Sequence, residues 1–288
     1  MTTEVNFNRY PGIDENVAQD RKGLKIPMYG LEINVAYACQ LKCEYCSHMS
    51  KYLMGPVPVG KITQWYRSWH QRVHPKTFTV LGGEPLLHPN IVEVLSVTKK
   101  HWCDSAIQMV TNGLLLSKAS MDLFAMLRQT GIFVAISKHF DQPEHHEKIM
   151  QGVELLKEYG VRHEIRFCYN MWRKSYRLDE SGRPVPYGSV PERAWQNCFV
   201  RHNCMTLMDN RIYKCPQIAC FRHAYTTGRL SDDWRFLLDY PPLHPEAPDT
   251  TVVKFLNEGA NPACRLCPES FEFATDKEKR GHTLEEER

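Results

Sequence analysis

Apolar runs alternate with amphipathic stretches through the first 170 residues of the chain. Five of these runs are rich in β-branched and aromatic residues and end at turn-forming residues, as buried strands do. They cover residues 31–37, 77–81, 106–110, 132–136 and 161–169. Between the runs, apolar residues recur at helical spacing, which predicts four helices between the strands. This alternation predicts a parallel sheet with helices on one face, an α/β fold of the partial (β/α) barrel type.

The alternation stops near residue 170, where a polar stretch rich in proline and glycine begins. This stretch, residues 173–191, predicts a long loop or a loose hairpin. Further on, residues 205–208 and 211–214 flank Asp209-Asn210, a pattern that predicts a hairpin. The last residues, 276–288, are charge-rich, and we expect them to be frayed.

These patterns divide the chain into three parts. We expect a polar N-terminal segment (residues 1–25), a barrel (26–172), and a linker with a small C-terminal cysteine-rich extension (173–288).

Composition and charge narrow the class of protein. Apolar residues make up 42% of the chain and charged residues 24%, which is typical of a globular protein. The 36 basic and 33 acidic residues are scattered, so we expect no nucleic-acid partner. The N-terminus lacks the apolar core of a signal peptide, and no run of about 18 apolar residues occurs, so we expect a cytoplasmic protein with no membrane partner. Eleven cysteines in that compartment favour metal binding or catalysis over disulfides.

Three cysteines follow the first predicted strand with the spacing C-x3-C-x2-C. Cys39, Cys43 and Cys46 can hold one face of a 4Fe-4S cubane, which leaves the fourth iron open. The alternative is a structural zinc site in which His48 supplies the fourth ligand. The local spacing permits both kinds of site.

Two motifs resemble the radical S-adenosylmethionine (SAM) superfamily. The cysteine loop has an aromatic residue, Tyr45, before its last cysteine, and Gly82-Gly83-Glu84-Pro85 follows the second strand like the family's GGEP motif. The resemblance implies that Cys39, Cys43 and Cys46 hold a 4Fe-4S cluster whose open iron binds SAM. It also implies that the GGEP motif lies near the SAM amino group. A glycine backbone can approach a ligand closely, and Glu84 adds negative charge near an ammonium.

The resemblance extends to the ends of the third and fourth strands, where relatives hold the ribose and the carboxylate of SAM. Asn112 and Ser137 occupy these places. Asn112 could equally be a turn residue with left-handed geometry. His139 departs from the family pattern, since many relatives carry aspartate followed by glycine there.

The resemblance also implies a chemistry. An electron from the cluster cleaves SAM, and the resulting 5′-deoxyadenosyl radical removes a hydrogen atom from an unactivated C–H bond of the substrate. A reductant such as flavodoxin or ferredoxin would supply the electron. We expect the reacting carbon inside the barrel mouth, at the carboxyl ends of the strands.

A second group of cysteines lies in the last third of the chain. One auxiliary 4Fe-4S cluster requires four thiolates and two clusters require eight, so a single auxiliary cluster is favoured. The alternative is a zinc ribbon built from Cys215, Cys220, Cys264 and Cys267. The group has six members: Cys198, Cys204, Cys215, Cys220, Cys264 and Cys267.

The spacing of this group resembles the twitch form of the SPASM extension found in some radical SAM enzymes. The resemblance implies Cys198, Cys215, Cys264 and Cys267 as the ligands, with Cys204 as the alternative ligand. Asn210 stands at the usual turn glycine, and asparagine also tolerates a positive φ.

Two cysteines fall outside both groups. Cys103 and Cys168 are expected in the core. Cys168 is also a candidate hydrogen-atom donor, because it lies on the fifth strand near the predicted barrel mouth. Arg166 shares its face of the sheet and could hold or deprotonate a hydroxylated substrate. Both side chains could equally be structural.

Three functions remain open. The size and the cysteine count favour an oxidoreductase or epimerase acting on a sugar, an aminocyclitol or a similar small metabolite, resembling the 2-deoxy-scyllo-inosamine dehydrogenases. The second is a maturase of ribosomal peptides, and the third is a zinc-binding module without catalysis.

Overall fold

The computed structural model describes residues 24–169, 172–201 and 203–280. Most of the predicted N-terminal segment, residues 1–25, lies outside these ranges, as do residues 281–288 of the charged end. The strands are β1 (Ile26–Ala36), β2 (Val73–Gly82), β3 (Ala106–Thr111), β4 (Phe133–Lys138), β5 (His163–Phe167), β6 (Arg177–Leu178), β7 (Pro184–Val185), β8 (Met205–Met208) and β9 (Arg211–Tyr213).

The helices alternate with the first five strands and then continue to the end of the described chain. They are α1 (Val59–Trp69), α2 (Ile91–His101), α3 (Met121–Thr130), α4 (Pro143–Glu158), α5 (Pro191–Gln196), α6 (Pro216–Thr226), α7 (Asp249–Asn257) and α8 (Asp276–Arg280). None of the helices in the described ranges is long and apolar enough to cross a membrane.

The main sheet has seven strands in the order β5-β4-β3-β2-β1-β8-β9. The first five strands pair in parallel, which confirms the predicted α/β fold. The carboxyl ends of these strands, and the loops that follow them, therefore meet at one edge of the sheet.

The two faces of the sheet differ in polarity. Apolar strand residues such as Ile33, Val80 and Met109 join one core with residues of α1 to α4. Side chains alternate along a strand, so the residues between them point to the other face. The polar residues that lie on this opposite face by strand register include Glu32, Thr79, Gln108, Glu164 and Arg166.

The predicted hairpin at residues 205–214 forms, but it continues the main sheet. Its first strand, β8, pairs in parallel with β1, on the side away from β2. Sequence patterns predict the turn because its signal is local, whereas the neighbour of β8 is set by a contact with residues about 170 positions earlier. Asp209 and Asn210 have positive φ, which agrees with the turn role expected of Asn210.

The polar stretch at residues 173–191 contains the short antiparallel pair β6–β7, as a loose hairpin would. The charged end is more ordered than expected, since Asp276–Arg280 is helical and Lys279 is fully buried. Charge-rich composition alone predicted fraying, but burial of this lysine with hydrogen-bonded partners overrides that local tendency.

Candidate functional site

The cysteine loop follows β1 directly and winds tightly. Lys42, Tyr45 and Met49 all have positive φ, which is uncommon for residues other than glycine. The winding brings the thiols of Cys39, Cys43 and Cys46 together. Burial, followed by the neighbouring thiols of Cys46 and Cys39, raises the pKa of Cys43. Such a convergence of thiols fits the three-cysteine face of a cubane.

Residues far away in sequence hold this loop in place. The buried carboxylate of Glu44 pairs with Lys51 and accepts a hydrogen bond of 3.2 Å from the Tyr176 hydroxyl. The backbone N–H of Tyr45 donates to the same hydroxyl at 2.7 Å, and Trp172 Nε1 donates to the Glu44 carbonyl at 2.9 Å. The Tyr45 ring packs against the Tyr176 ring. Sequence reasoning missed these supports because nothing in the local pattern indicates them.

The two glycines of the GGEP motif allow the end of β2 to pack against the start of the cysteine loop. A Cβ on Gly82 would lie 2.1 Å from the Ala36 oxygen, and one on Gly83 would lie 2.4 Å from the oxygens of Tyr37 and Ala38. We expected glycine here for close approach to a ligand. Close packing against the protein's own backbone is a sufficient reason for both glycines.

Glu84 of the same motif is fully buried and accepts three hydrogen bonds. Oε1 accepts from the Thr111 hydroxyl at 2.7 Å and from the Leu86 N–H at 3.0 Å, and Oε2 accepts from the Asn112 N–H at 2.8 Å. Burial raises the pKa of Glu84 to about 7 even though these bonds lower it. Pro85, also buried, begins a short 3-10 turn. Glu84 thus links the loop after β2 to the loop after β3.

Asn112 reaches the cysteine loop from the end of β3. Its Nδ2 donates to the Cys39 sulfur at 3.7 Å, and its Oδ1 accepts from Gln40 Nε2 at 3.0 Å and from the Leu114 N–H at 3.1 Å. The left-handed residue of this turn is Gly113, with φ +81°. Asn112 is therefore a turn residue through its side chain and at the same time a neighbour of a predicted cluster ligand.

Ser137 and Cys168 meet at the ends of β4 and β5. The Ser137 side chain hydrogen-bonds the Cys168 thiol, and burial raises the pKa of that thiol. Arg166, on the same strand, is exposed and pairs with Glu164, and it donates to Gln108 Oε1 at 3.2 Å. Cys168 is half-buried.

Cys103 is exposed, so the expectation of a core position for it is wrong. It follows Trp102, the C-cap residue directly after α2, in a turn. Trp102 is the residue that enters the core there. The position directly after a helix end carries no periodicity from which its burial could be read.

The two histidines that sequence reasoning singled out are both partly buried. Burial lowers the pKa of His48, but its interactions with the Cys46 thiol and with the Glu32 carboxylate, 3.7 Å away, raise it to about 10. Burial lowers the pKa of His139 to about 4. Within the described ranges, no three His, Cys, Asp or Glu side chains form a group that could hold a single metal ion. A cubane of four irons is larger than one ion, so its ligands stand further apart.

Four cysteines of the last third line one cavity of about 70 Å³. Cys204 and Cys220 are not among its lining residues. Cys204 lies near Glu32 and Cys198, and Cys220 accepts a hydrogen bond of 3.5 Å from Asn34 Nδ2. Of the four cysteines of the alternative ribbon, only Cys215, Cys264 and Cys267 line this cavity. The cysteines of the cavity are Cys198, Cys215, Cys264 and Cys267.

The polar lining of this cavity fits an iron-sulfur cluster. Asn261 Nδ2 is a buried donor that has no hydrogen-bond acceptor among the described residues. Lys214, also in the lining, is buried, and burial lowers its pKa to about 8. Amide and ammonium donors beside thiolates are the hydrogen-bonding groups that tune such clusters. The first cysteine loop fits in the same way through the Asn112 amide at Cys39.

The fold and the cysteine loop together define a class of protein. Residues 33–172 match the family model of the radical SAM superfamily, so the chain carries a radical SAM domain, whose cofactors are a 4Fe-4S cluster and SAM.

Individual relatives match over part of their length. The serine-type anaerobic sulfatase-maturating enzyme of Bacteroides thetaiotaomicron is 28% identical over 53% of this chain and 42% of its own. A probable GTP 3′,8-cyclase of Methanococcus maripaludis is 30% identical over 51% of this chain and 48% of its own. The chain thus spans less than half the length of these two curated relatives.

One solved structure is similar over nearly the whole chain. The crystal structure of BtrN in complex with AdoMet and 2-DOIA has a TM-score of 0.50 and 15% sequence identity. The similarity covers 89% of this chain and 98% of BtrN. At this level of identity the likeness shows a shared fold.

Proposed function

We propose that this chain is a radical SAM oxidoreductase or epimerase that acts on a sugar, an aminocyclitol or a similar small metabolite. The observation that carries the proposal is the polar face of the sheet opposite α1 to α4. Its hydrogen-bonding side chains lie on rigid strands and lead to Ser137 and Cys168 at the strand ends. A substrate rich in hydroxyl and amino groups needs many such partners when it leaves water.

Arg166 is the side chain of this face that we assign to the substrate. It is already oriented by Glu164 and by Gln108 Oε1, and Gln108 in turn donates to the Thr79 hydroxyl at 2.9 Å. This network joins side chains of β5, β3 and β2 across one sheet, with β4 between β5 and β3, so its donors and acceptors are held at fixed spacing. The Arg166 side chain remains 43% exposed and can bind a hydroxyl group of the substrate.

In the first site, Cys39, Cys43 and Cys46 would hold the SAM-binding cluster, with Tyr45 anchoring their loop. Gly82, Gly83, Glu84 and Pro85 would shape the amino-group side of SAM, with Asn112 and Ser137 at the next strand ends. When bound, SAM and its cluster supply a radical that removes one hydrogen atom from the substrate.

In the second site, Cys198, Cys215, Cys264 and Cys267 would hold the auxiliary cluster, with Cys204 as the alternative ligand. The support for this set is the single cavity that all four line. The Nδ2 donor of Asn261, which lacks an acceptor in the described ranges, is further support. A cluster in this cavity supplies an electron acceptor for an oxidation, in which the substrate also loses a proton to a base.

Cys168 distinguishes the two reactions. Its raised pKa keeps the thiol protonated at neutral pH, so it carries an S–H hydrogen. In an epimerisation, Cys168 donates this hydrogen atom to the opposite face of the substrate carbon, which restores the C–H bond with inverted configuration and leaves a thiyl radical. One electron from the proposed reductant and one proton would return this radical to the thiol. In an oxidation, the thiol is not consumed.

A second candidate function is the modification of a peptide. It is favoured by the match to the sulfatase-maturating enzyme over 53% of the chain. For either substrate, we propose a flavodoxin or ferredoxin as the reductant and the cytoplasm as the location.

The test is an anaerobic incubation of the reduced protein and SAM with a panel of aminocyclitols and sugars and, separately, with peptides. We expect 5′-deoxyadenosine in an amount equal to product with a member of the first panel, and formation only with peptides would contradict the proposal. In an epimerase, Cys168→Ala abolishes the epimer but not 5′-deoxyadenosine. In a dehydrogenase, Cys168→Ala still forms the oxidised product. Cys103→Ala is the matched control, since that thiol is exposed.

A further inference from the structure

Lys279 in α8 is a buried lysine that lies far along the sequence from residues 33–172, the segment that matches the radical SAM family model. Its side chain is fully buried, which is rare for a lysine unless its ammonium is paired. The pairing is complete. Nζ donates to the His139 carbonyl at 2.7 Å and to the Tyr169 carbonyl at 2.9 Å, and it lies 2.8 Å from the Asp276 carboxylate. These three acceptors use the three N–H groups of an ammonium.

The acceptors belong to loops that meet at the candidate SAM site. His139 directly follows β4, and Tyr169 lies two residues beyond β5. The third of these loops is the cysteine loop. The backbone carbonyl of Lys279 accepts a hydrogen bond of 2.9 Å from the Glu44 N–H in this loop. One residue of α8 therefore joins the loops after β1, β4 and β5.

Two aromatic rings complete the setting of the ammonium. It lies 4.9 Å from the centre of the Phe140 ring and 5.7 Å from that of Trp172. Trp172 itself donates to the Glu44 carbonyl. The cysteine loop is thus held from both sides of Glu44, once by Lys279 and once by Trp172. Aromatic faces stabilise a cation that has left water.

We infer that Lys279 is a positioning residue of the radical SAM site. It fixes the cysteine loop relative to the ends of β4 and β5, and thereby fixes the distance between the SAM cluster and the Ser137–Cys168 pair. The inference rests on the proposal that Cys39, Cys43 and Cys46 hold the SAM-binding cluster. The inference gives a part in SAM chemistry to α8, the last described helix, which lies outside residues 33–172.

The physical reason is that a neutral side chain removes the ammonium donor that these groups share. In Lys279→Met, two buried carbonyls and one carboxylate lose their donor, and the loops that carry them gain freedom to move apart. A small displacement of a bound reactant is sufficient to lower a rate strongly. Cys198, Cys215, Cys264 and Cys267 line a separate cavity that Lys279 does not line, so the auxiliary cluster is an internal reference for folding.

The test compares Lys279→Met with Lys277→Met, since Lys277 is the exposed lysine of the same helix. The measurements are iron per chain, the change in the electron paramagnetic resonance spectrum of the reduced protein on adding SAM, and the KM for SAM. We expect Lys277→Met to behave as wild type. Lys279→Met should keep the auxiliary cluster, lose the SAM-induced spectral change and cleave SAM with a kcat/KM lower by roughly 100-fold.

A folded Lys279→Met with wild-type spectral response and KM would overturn the inference. If that variant does not fold, Lys279→Gln decides, because the amide keeps two donors but is shorter and neutral. It should raise the KM for SAM, and a wild-type KM would again overturn the inference. A wild-type protein without a SAM-responsive cluster would instead refute the proposed function, so the two failures are distinguishable.

Discussion

At the scale of single residues, Glu84 has a structural role that its motif does not reveal. Both of its carboxylate oxygens accept hydrogen bonds from the protein's own loops, from Thr111, Leu86 and Asn112. The motif predicted where this residue lies, at the end of the second strand. It could not predict the partners, because they come from a loop whose position depends on how β2 and β3 pair.

The raised pKa of Glu84 makes the stability of the protein depend on pH. The folded state holds this proton up to about pH 7, whereas an ordinary glutamate releases it near 4.5. The stabilisation of the folded state by this proton is therefore fully present below pH 4.5, and it is lost as the pH rises through about 7. Between pH 5.5 and 7.5, the loss amounts to about 2 kcal/mol of unfolding free energy.

Glu84→Gln should remove this dependence, since the amide does not titrate. We expect anaerobic urea unfolding of the variant to show a smaller fall in stability between pH 5.5 and 7.5 than wild type. Glu93→Gln, at an exposed position of α2, should leave the fall unchanged. An equal pH dependence in wild type and Glu84→Gln would show that Glu84 ionises normally in the folded protein.

At the scale of elements, local patterns predicted the strands, the helices and the loops that carry the motifs. The contacts between the motifs were not predictable in this way. The loop after β2 packs against the loop after β1 through Gly83, whose N–H donates to the Ala36 carbonyl at 2.7 Å. Such a contact follows from the parallel pairing of β1 and β2 and leaves no periodic trace in the sequence.

Gly83→Ala tests whether this packing supports the first cluster. The new Cβ would lie 2.4 Å from the carbonyls of Tyr37 and Ala38, so the segment leading to Cys39 must shift. We expect loss of about four of about eight irons per chain, with the auxiliary cluster retained. Gly60→Ala, in α1 with open space around it, should keep the full iron content. Full iron content in Gly83→Ala would show that the loop tolerates the shift.

At the scale of the whole molecule, the chain is built around two cores that both draw on distant segments. The core beneath the sheet includes Met205 and Val252 from the last third of the chain. The second core includes Tyr45 and Met49 from the cysteine loop. Each core therefore crosses the predicted boundary between residues 172 and 173. Sequence patterns predicted the parts but not this sharing, since hydrophobic periodicity does not specify which buried faces meet.

The shared cores connect the two cysteine groups physically. Tyr45 lies beside Cys46, and the core that buries it also includes Ile218 and Leu266, which lie beside the second cavity. Proper folding of the extension is thus a condition for a rigid cysteine loop.

The most direct test of the account is the formation of 5′-deoxyadenosine from SAM by the reduced, iron-reconstituted protein under anaerobic conditions. We expect cleavage by wild type and none by a variant in which Cys39, Cys43 and Cys46 are all alanine. That variant should still contain about four irons in its auxiliary site. Absence of cleavage in a fully iron-loaded wild type, or equal cleavage by the triple variant, would contradict the account.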